Sequence, residues 1–236
     1  MPIVETESTA PRRLVKPPPL ENGDRLHTRE FLRRYVAMAG VKKAQLIEGV
    51  VHMPSPVSVA HARPDNLIQL WLGTYAAHTP GVQCLTNATV ILDADNVVQP
   101  DALLRLLPER AGRCQENSDG YLTGPPELVV EIASTSAAVD LGDKLHAYRR
   151  NGIREYLVWV TLENRFDWLW LDGDEYATQV PDTQGLLHSR AFPGLQLDLA
   201  ALLRSDAAAV LAALQVSVNS LEHRLFREAG ASGNNG

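Results

Sequence analysis

Three ionisable residues in this chain sit in sequence contexts that would make them chemically conspicuous. Asp101 lies within Val97-Val98-Gln99-Pro100-Asp101-Ala102-Leu103-Leu104, a lone acid in or beside a strand. Glu131 interrupts the apolar run Leu128-Val129-Val130-Glu131-Ile132-Ala133, and burying an unpaired carboxylate is costly enough to demand a cation, a metal or a proton beside it. Lys144 falls one step off the stripe formed by Leu141, Leu145 and Tyr148. There a helical side chain can lean over the carboxyl end of the preceding strand. Two carboxylates on adjacent strands can hold Mg²⁺, a hard cation that prefers oxygen ligands and keeps waters, while an ammonium stabilises charge developing on a phosphate. Each residue also has a purely structural reading. Asp101 can be a turn or edge acid, Glu131 half of an ion pair with an arginine, and Lys144 the i,i+4 partner of Asp140 on a solvated face, a pairing worth only about 0.2–0.5 kcal/mol.

The elements that must position these residues follow from periodicity and turn chemistry. Thr28 can cap a short helix with apolar residues Phe31, Leu32, Tyr35, Val36 and Met38, stopped by Gly40. Residues 44–48 and 50–53 form a hairpin or bent strand broken at Gly49. A helix spans about Ser58 to His78, its regular part starting near Pro64. Two β-rich segments, Ala88–Leu92 and Val97–Leu104, are joined by the turn residues Asp93 to Asn96. A loop fills 108–124, and 127–133 is a central strand covered on both faces. A helix over Ser136–Arg150, ended by Asn151-Gly152, leads into a meander of three strands at 155–161, 165–171 and 175–180. The alanine-rich stretch Leu199–Ala229 is helical, with Leu203, Val210, Leu211, Leu214, Val218, Leu221 and Leu225 at near-heptad steps. That strip is either a piece of the core or a dimer contact. This order of elements predicts a mixed α/β (α+β) fold: a flexible arm at 1–20, a main domain at 21–198, a C-terminal helical extension at 199–229 and a disordered tail at 230–236.

Composition narrows the classes. The 236 residues are 45% hydrophobic and 21% charged, as in a soluble globular domain, and 28 acids against 22 bases give a net charge of −6. Such acidity weighs against grip on nucleic acid by bulk charge. Around the candidate site, however, Lys144, Arg149, Arg150 and Arg154 outnumber Asp140 and Asp143 by two within residues 140–154. Cys84 and Cys114 lack metal-site spacing, and no signal-like or membrane-length apolar run occurs, which together predict free thiols in the cytoplasm and no membrane partner. Zinc-hydrolase, P-loop, dinucleotide-binding and Gly-x-Ser-x-Gly motifs are absent. Trp159, Trp168 and Trp170 alternate as a base-stacking platform would, although core packing is the better reading.

Taken in order, Leu46-Ile47-Glu48-Gly49 with Met53 and Pro56, His61 opening a helix, Val97 to Asp101, Pro126 to Ser134, and Asp140, Lys144, Tyr148 and Gly152 to Val158 form a set. This set resembles the Uma-type restriction-endonuclease family within the PD-(D/E)XK nuclease superfamily, over roughly residues 28–180. The resemblance implies a restriction-endonuclease-like mixed sheet flanked by helices, and a metal-dependent endonuclease acting on DNA with Mg²⁺, or Mn²⁺ in its place. It implies Asp101 as the metal-binding acid and Glu131 as the second. The superfamily's usual lysine position is filled by Ala133, and Lys144 takes the role in the Uma-type pattern. Gln45 stands where the family often has an acid, so a third ligand there is lost or passes to Glu48, which is equally readable as a structural strand-end acid. A backbone carbonyl near Ile132 would add to the metal ligands, and a homodimer would suit an enzyme that cuts two strands. The alternative is a nuclease fold without catalysis, serving as a binding or oligomerisation module.

Overall fold

The run Val97–Leu104, expected as one strand, is two strands in the structure, and they belong to different sheets. Pro100 has no N–H to donate, so the hydrogen-bonded ladder ends before it and restarts after Asp101. The computed structural model describes residues 16–41, 43–53, 58–134 and 136–231. Most of the expected arm, the tail from residue 232, and Pro56 lie outside the described residues.

In chain order the elements are α1 (Thr28–Val36), the hairpin β1 (Gln45–Ile47) and β2 (Val50–His52), α2 (Val59–Ala77), and β3 (Val82–Thr86), β4 (Val90–Ile91), β5 (Val97–Val98) and β6 (Ala102–Leu106). Next come β7 (Gln115–Glu116), β8 (Leu122–Thr123), β9 (Leu128–Ala133), α3 (Ala137–Asp140) and α4 (Asp143–Arg150). The meander is β10 (Glu155–Val160), β11 (Arg165–Asp172) and β12 (Glu175–Thr178), followed by the hairpin β13 (Leu186–His188) and β14 (Gln196–Asp198). Helices α5 (Leu199–Leu203), α6 (Ala207–Val218) and α7 (Leu221–Ala231) close the chain.

The main sheet runs β12-β11-β10-β9-β6-β3, and a sheet of short strands runs β2-β1-β5-β4-β8-β7. The fold is thus the expected α+β arrangement of mixed sheets flanked by helices. Strand β9 lies between antiparallel β6 and parallel β10, to which α3 and α4 form the crossover. Side chains alternate along a strand. Leu128, Val130 and Ile132 therefore pack with Ile68, Trp71 and Leu72 of α2, while Val129 and Ala133 face Tyr148 and Tyr156. Glu131 shares the second face.

Several local expectations are corrected. Helix α1 is capped by His27 without a side-chain bond, and the Thr28 hydroxyl instead donates to the Asp93 carbonyl at 2.8 Å. Helix α2 starts well before Pro64, with Ser58 at its N-cap, because a proline in the first turns loses little hydrogen bonding. Strands β7 and β8 occupy the expected loop, and β3, β13 and β14 are additional. The helix expected over 136–150 breaks at Gly142, where a Cβ would lie 2.6 Å from the Ala138 carbonyl oxygen. The C-terminal stretch is three helices. Val210, Leu214 and Val218 join the same core as Trp71, whereas Leu221 and Leu225 are exposed. Helix α7 is fastened by His223 to the Thr79 hydroxyl at 2.9 Å and by the Arg110 guanidinium, which donates to the Phe226 carbonyl at 2.6 Å. Trp159 and Trp168 are buried, and Trp170 lies beneath the Arg190 guanidinium, so the tryptophans pack rather than form an open platform. Among the described residues no helix is long and apolar enough to cross a membrane.

Candidate active site

The break between β5 and β6 leaves Asp101 beside the central strand. Its Oδ2 accepts the Ile132 N–H at 2.8 Å. Its Oδ1 accepts from Lys43 Nζ at 3.0 Å, and Lys43 donates also to Asn87 Oδ1 at 3.0 Å. His61 Nε2 approaches Oδ2 to 3.8 Å, too long for a hydrogen bond. One helical turn on, Asp65 bonds Gln69, and burial together with nearby Asp101 raises its carboxyl.

Glu131 projects from β9 toward α4. Its Oε1 accepts from the Tyr148 hydroxyl at 2.7 Å and from Lys144 Nζ at 2.9 Å. Lys144 reaches Asp140 Oδ1 at 2.9 Å as well, and the Ser136 hydroxyl donates to Asp140 Oδ2 at 2.6 Å. The Gly142 break makes this possible by bringing the end of α3 and the first turn of α4 over the same strand. Asp140 and Lys144 are 3% and 5% exposed, so their i,i+4 pair is buried in the site and not on a solvated face. The partner of Glu131 is this lysine, not an arginine.

Three carboxylates here, Asp101, Glu131 and Asp140, meet two ammonium groups, Lys43 and Lys144. Burial pushes the Glu131 carboxyl up to about 7 in spite of Lys144, and Asp101 and Asp140 add to the rise. Burial works against the charge of Lys144, but Glu131 and Asp140 outweigh it and hold its proton above the ordinary lysine range. Burial and Glu131 likewise keep Tyr148 protonated, hence a donor. An oxygen-rich cluster short of positive charge has the chemistry of a divalent-cation site. No three acidic, histidine or cysteine side chains among the described residues converge as a ready-made cage. A cation here would rest on few protein oxygens and retain water, as Mg²⁺ does.

The family model of Uma2, described as "putative restriction endonuclease", matches residues 28–200. This chain belongs to the Uma2 family. Among solved structures, a "putative nuclease belonging to DUF820" from Anabaena variabilis ATCC 29413 superposes with a TM-score of 0.60 at 13% identity, covering 74% of this chain and 97% of that one. It shares the fold. No curated protein matches.

The residues matched to Uma2 include every member of the cluster. The structure joins Glu131 to Lys144 directly and sets Asp101 beside the next residue of β9, near enough to raise the Glu131 carboxyl. It holds Glu48 elsewhere, in the β1–β2 turn at φ 49°, bound to Arg150 at 2.9 Å and Asn96 at 3.3 Å. Gln45 accepts the Gln99 N–H at 3.0 Å, steadying the loop that carries Asp101. Sequence reasoning misses Lys43, whose neighbour Lys42 gives it the look of a surface pair, and gives Asp140 no site role beyond its place in the Uma-type set, the alternative being a pair with Lys144 on a solvated face. The signals for Asp140 are its spacing from Lys144 and its place in that set.

Proposed function

We propose that this chain is a metal-dependent endonuclease that hydrolyses phosphodiester bonds of DNA, with Asp101 and Glu131 holding Mg²⁺ or Mn²⁺ and Lys144 assisting the attack of water. The reading is carried by the buried neighbourhood of Asp101, Glu131 and Lys144, in which Lys144 bonds Glu131 and Asp101 is near enough to raise the Glu131 carboxyl, so that three carboxylates meet only two ammonium groups once Glu131 ionises. When bound, the metal supplies an acidified water and neutralises charge on the scissile phosphate. The Ile132 amide fixes Asp101, and Tyr148 fixes Glu131. Lys144 keeps its proton, so it serves as a permanent cation and donor that orients water or stabilises charge developing on phosphorus, not as the base. Water adds to phosphorus, the ester P–O bond breaks, and the products are a hydroxyl and a phosphate monoester. Preference for DNA rests on the family description. Cys84 and Cys114 are both free thiols, which supports residence in the reducing cytoplasm. A homodimer would set two sites on one duplex, and light scattering of the full chain measures that state.

The test is incubation of duplex, single-stranded and branched DNA with Mg²⁺, Mn²⁺ or chelator. Cleavage is expected only with metal, and Asp101→Asn and Glu131→Gln are expected to lose about a hundredfold or more while keeping the native circular dichroism spectrum. Full activity in Asp101→Asn would overturn the assignment. Absence of both cleavage and Mn²⁺ binding would leave the non-catalytic module.

A further inference from the structure

We propose that Lys43 is an internal counter-cation of the metal site, seated against Asp101 in the metal-free chain and displaced when a divalent cation binds. This rests on the metal-site reading above. Asp101 is held on both sides. The main chain of β9 holds Oδ2, and the Lys43 ammonium stands 3.0 Å from Oδ1, so a cation approaching Oδ1 meets that ammonium first. Two positive charges close to one carboxylate oxygen repel, which makes the two occupants competitors.

The two lysines of the site differ in how they can respond. Lys144 is buried and shared between two carboxylates, one of which is itself fixed by Ser136. The Lys43 side chain is 25% exposed and has one carboxylate and one neutral amide as partners. Lys43 is therefore the ammonium that can leave. Linkage makes the effect reciprocal: Lys43 weakens metal binding, and metal releases Lys43. The released ammonium remains tethered just before β1, beside the site, where it is placed to meet a phosphate of the substrate. Lys43 would thus favour loading of metal before DNA.

The test is Mn²⁺ titration of the full chain, with free Mn²⁺ read by electron paramagnetic resonance, for the native protein and for Lys43→Gln, Lys43→Met and Asp101→Asn. Both Lys43 variants are expected to bind Mn²⁺ about three- to tenfold tighter, the range set by loss of a partly exposed ion pair. Asp101→Asn is expected to lose binding. Unchanged or weaker Mn²⁺ binding in both folded Lys43 variants, with Asp101→Asn still deficient, overturns the counter-cation and leaves the metal site standing. Native-like binding by Asp101→Asn overturns the metal-site reading itself.

Discussion

The proposed function asks Glu131 to be two things, a buried group in the resting protein and an ionised ligand in the working one. With its carboxyl pushed up to about 7 by burial, the folded chain keeps a proton that the unfolded chain gives up near 4.5. The stability contributed by protonated Glu131 is complete below that lower value and is lost as pH rises through about 7. Thermal melts in chelator should show the native protein losing stability, relative to Glu131→Gln, between about pH 5 and 7.5. Parallel pH profiles for the two proteins would refute the burial argument. At this scale the sequence was informative wherever a charge broke an apolar pattern, as Glu131 does in β9. It was silent on Lys43, which acquires its role only through Asp101, a contact spanning 58 positions.

The elements show how breaks in regular structure build the site. Gly142 ends α3 and starts α4 so closely that a Cβ there would sit 2.6 Å from the Ala138 carbonyl oxygen. Gly142→Ala should cost about 1–3 kcal/mol in urea denaturation and should also lower catalytic turnover, because Lys144 is two residues away. A stable variant of normal activity would show that the break is incidental. Helical periodicity runs through Ser136–Arg150, and β-prone residues lie on both sides of Gln99-Pro100-Asp101 within Val97–Leu104, so both breaks escape pattern reading. Pro100 and Gly142 carried the information, but only packing reveals whether a proline or glycine bends an element or divides it. The central strand and the meander were legible because their alternation and turn residues agreed. The three C-terminal helices were read as one because the alanine-rich composition has no breaker stronger than Ser205-Asp206.

Across the whole molecule, charge does not act in bulk. The cations of α4 that offset the net −6 are largely engaged, Arg149 with Glu175, Arg150 with Glu48 and Asp93, and Lys144 in the site. Under the proposed function, contact with a polyanion falls to a few groups and to metal, which predicts weak and salt-sensitive engagement rather than tight non-specific binding. The two sheets are also unequal. β9 and β10 pair over six residues, whereas the strands of the other sheet are two or three residues long. Asp101 stands where the chain crosses between the sheets, and its Lys43 partner leads directly into β1. The short ladders are therefore expected to loosen before the six-residue pairing of β9 with β10, and the Asp101 crossing with them, although both sheets share the core around Tyr148 and Tyr156. Warming should abolish the proposed activity several degrees below the calorimetric unfolding temperature, with recovery on cooling, making the chain a natural thermal fuse.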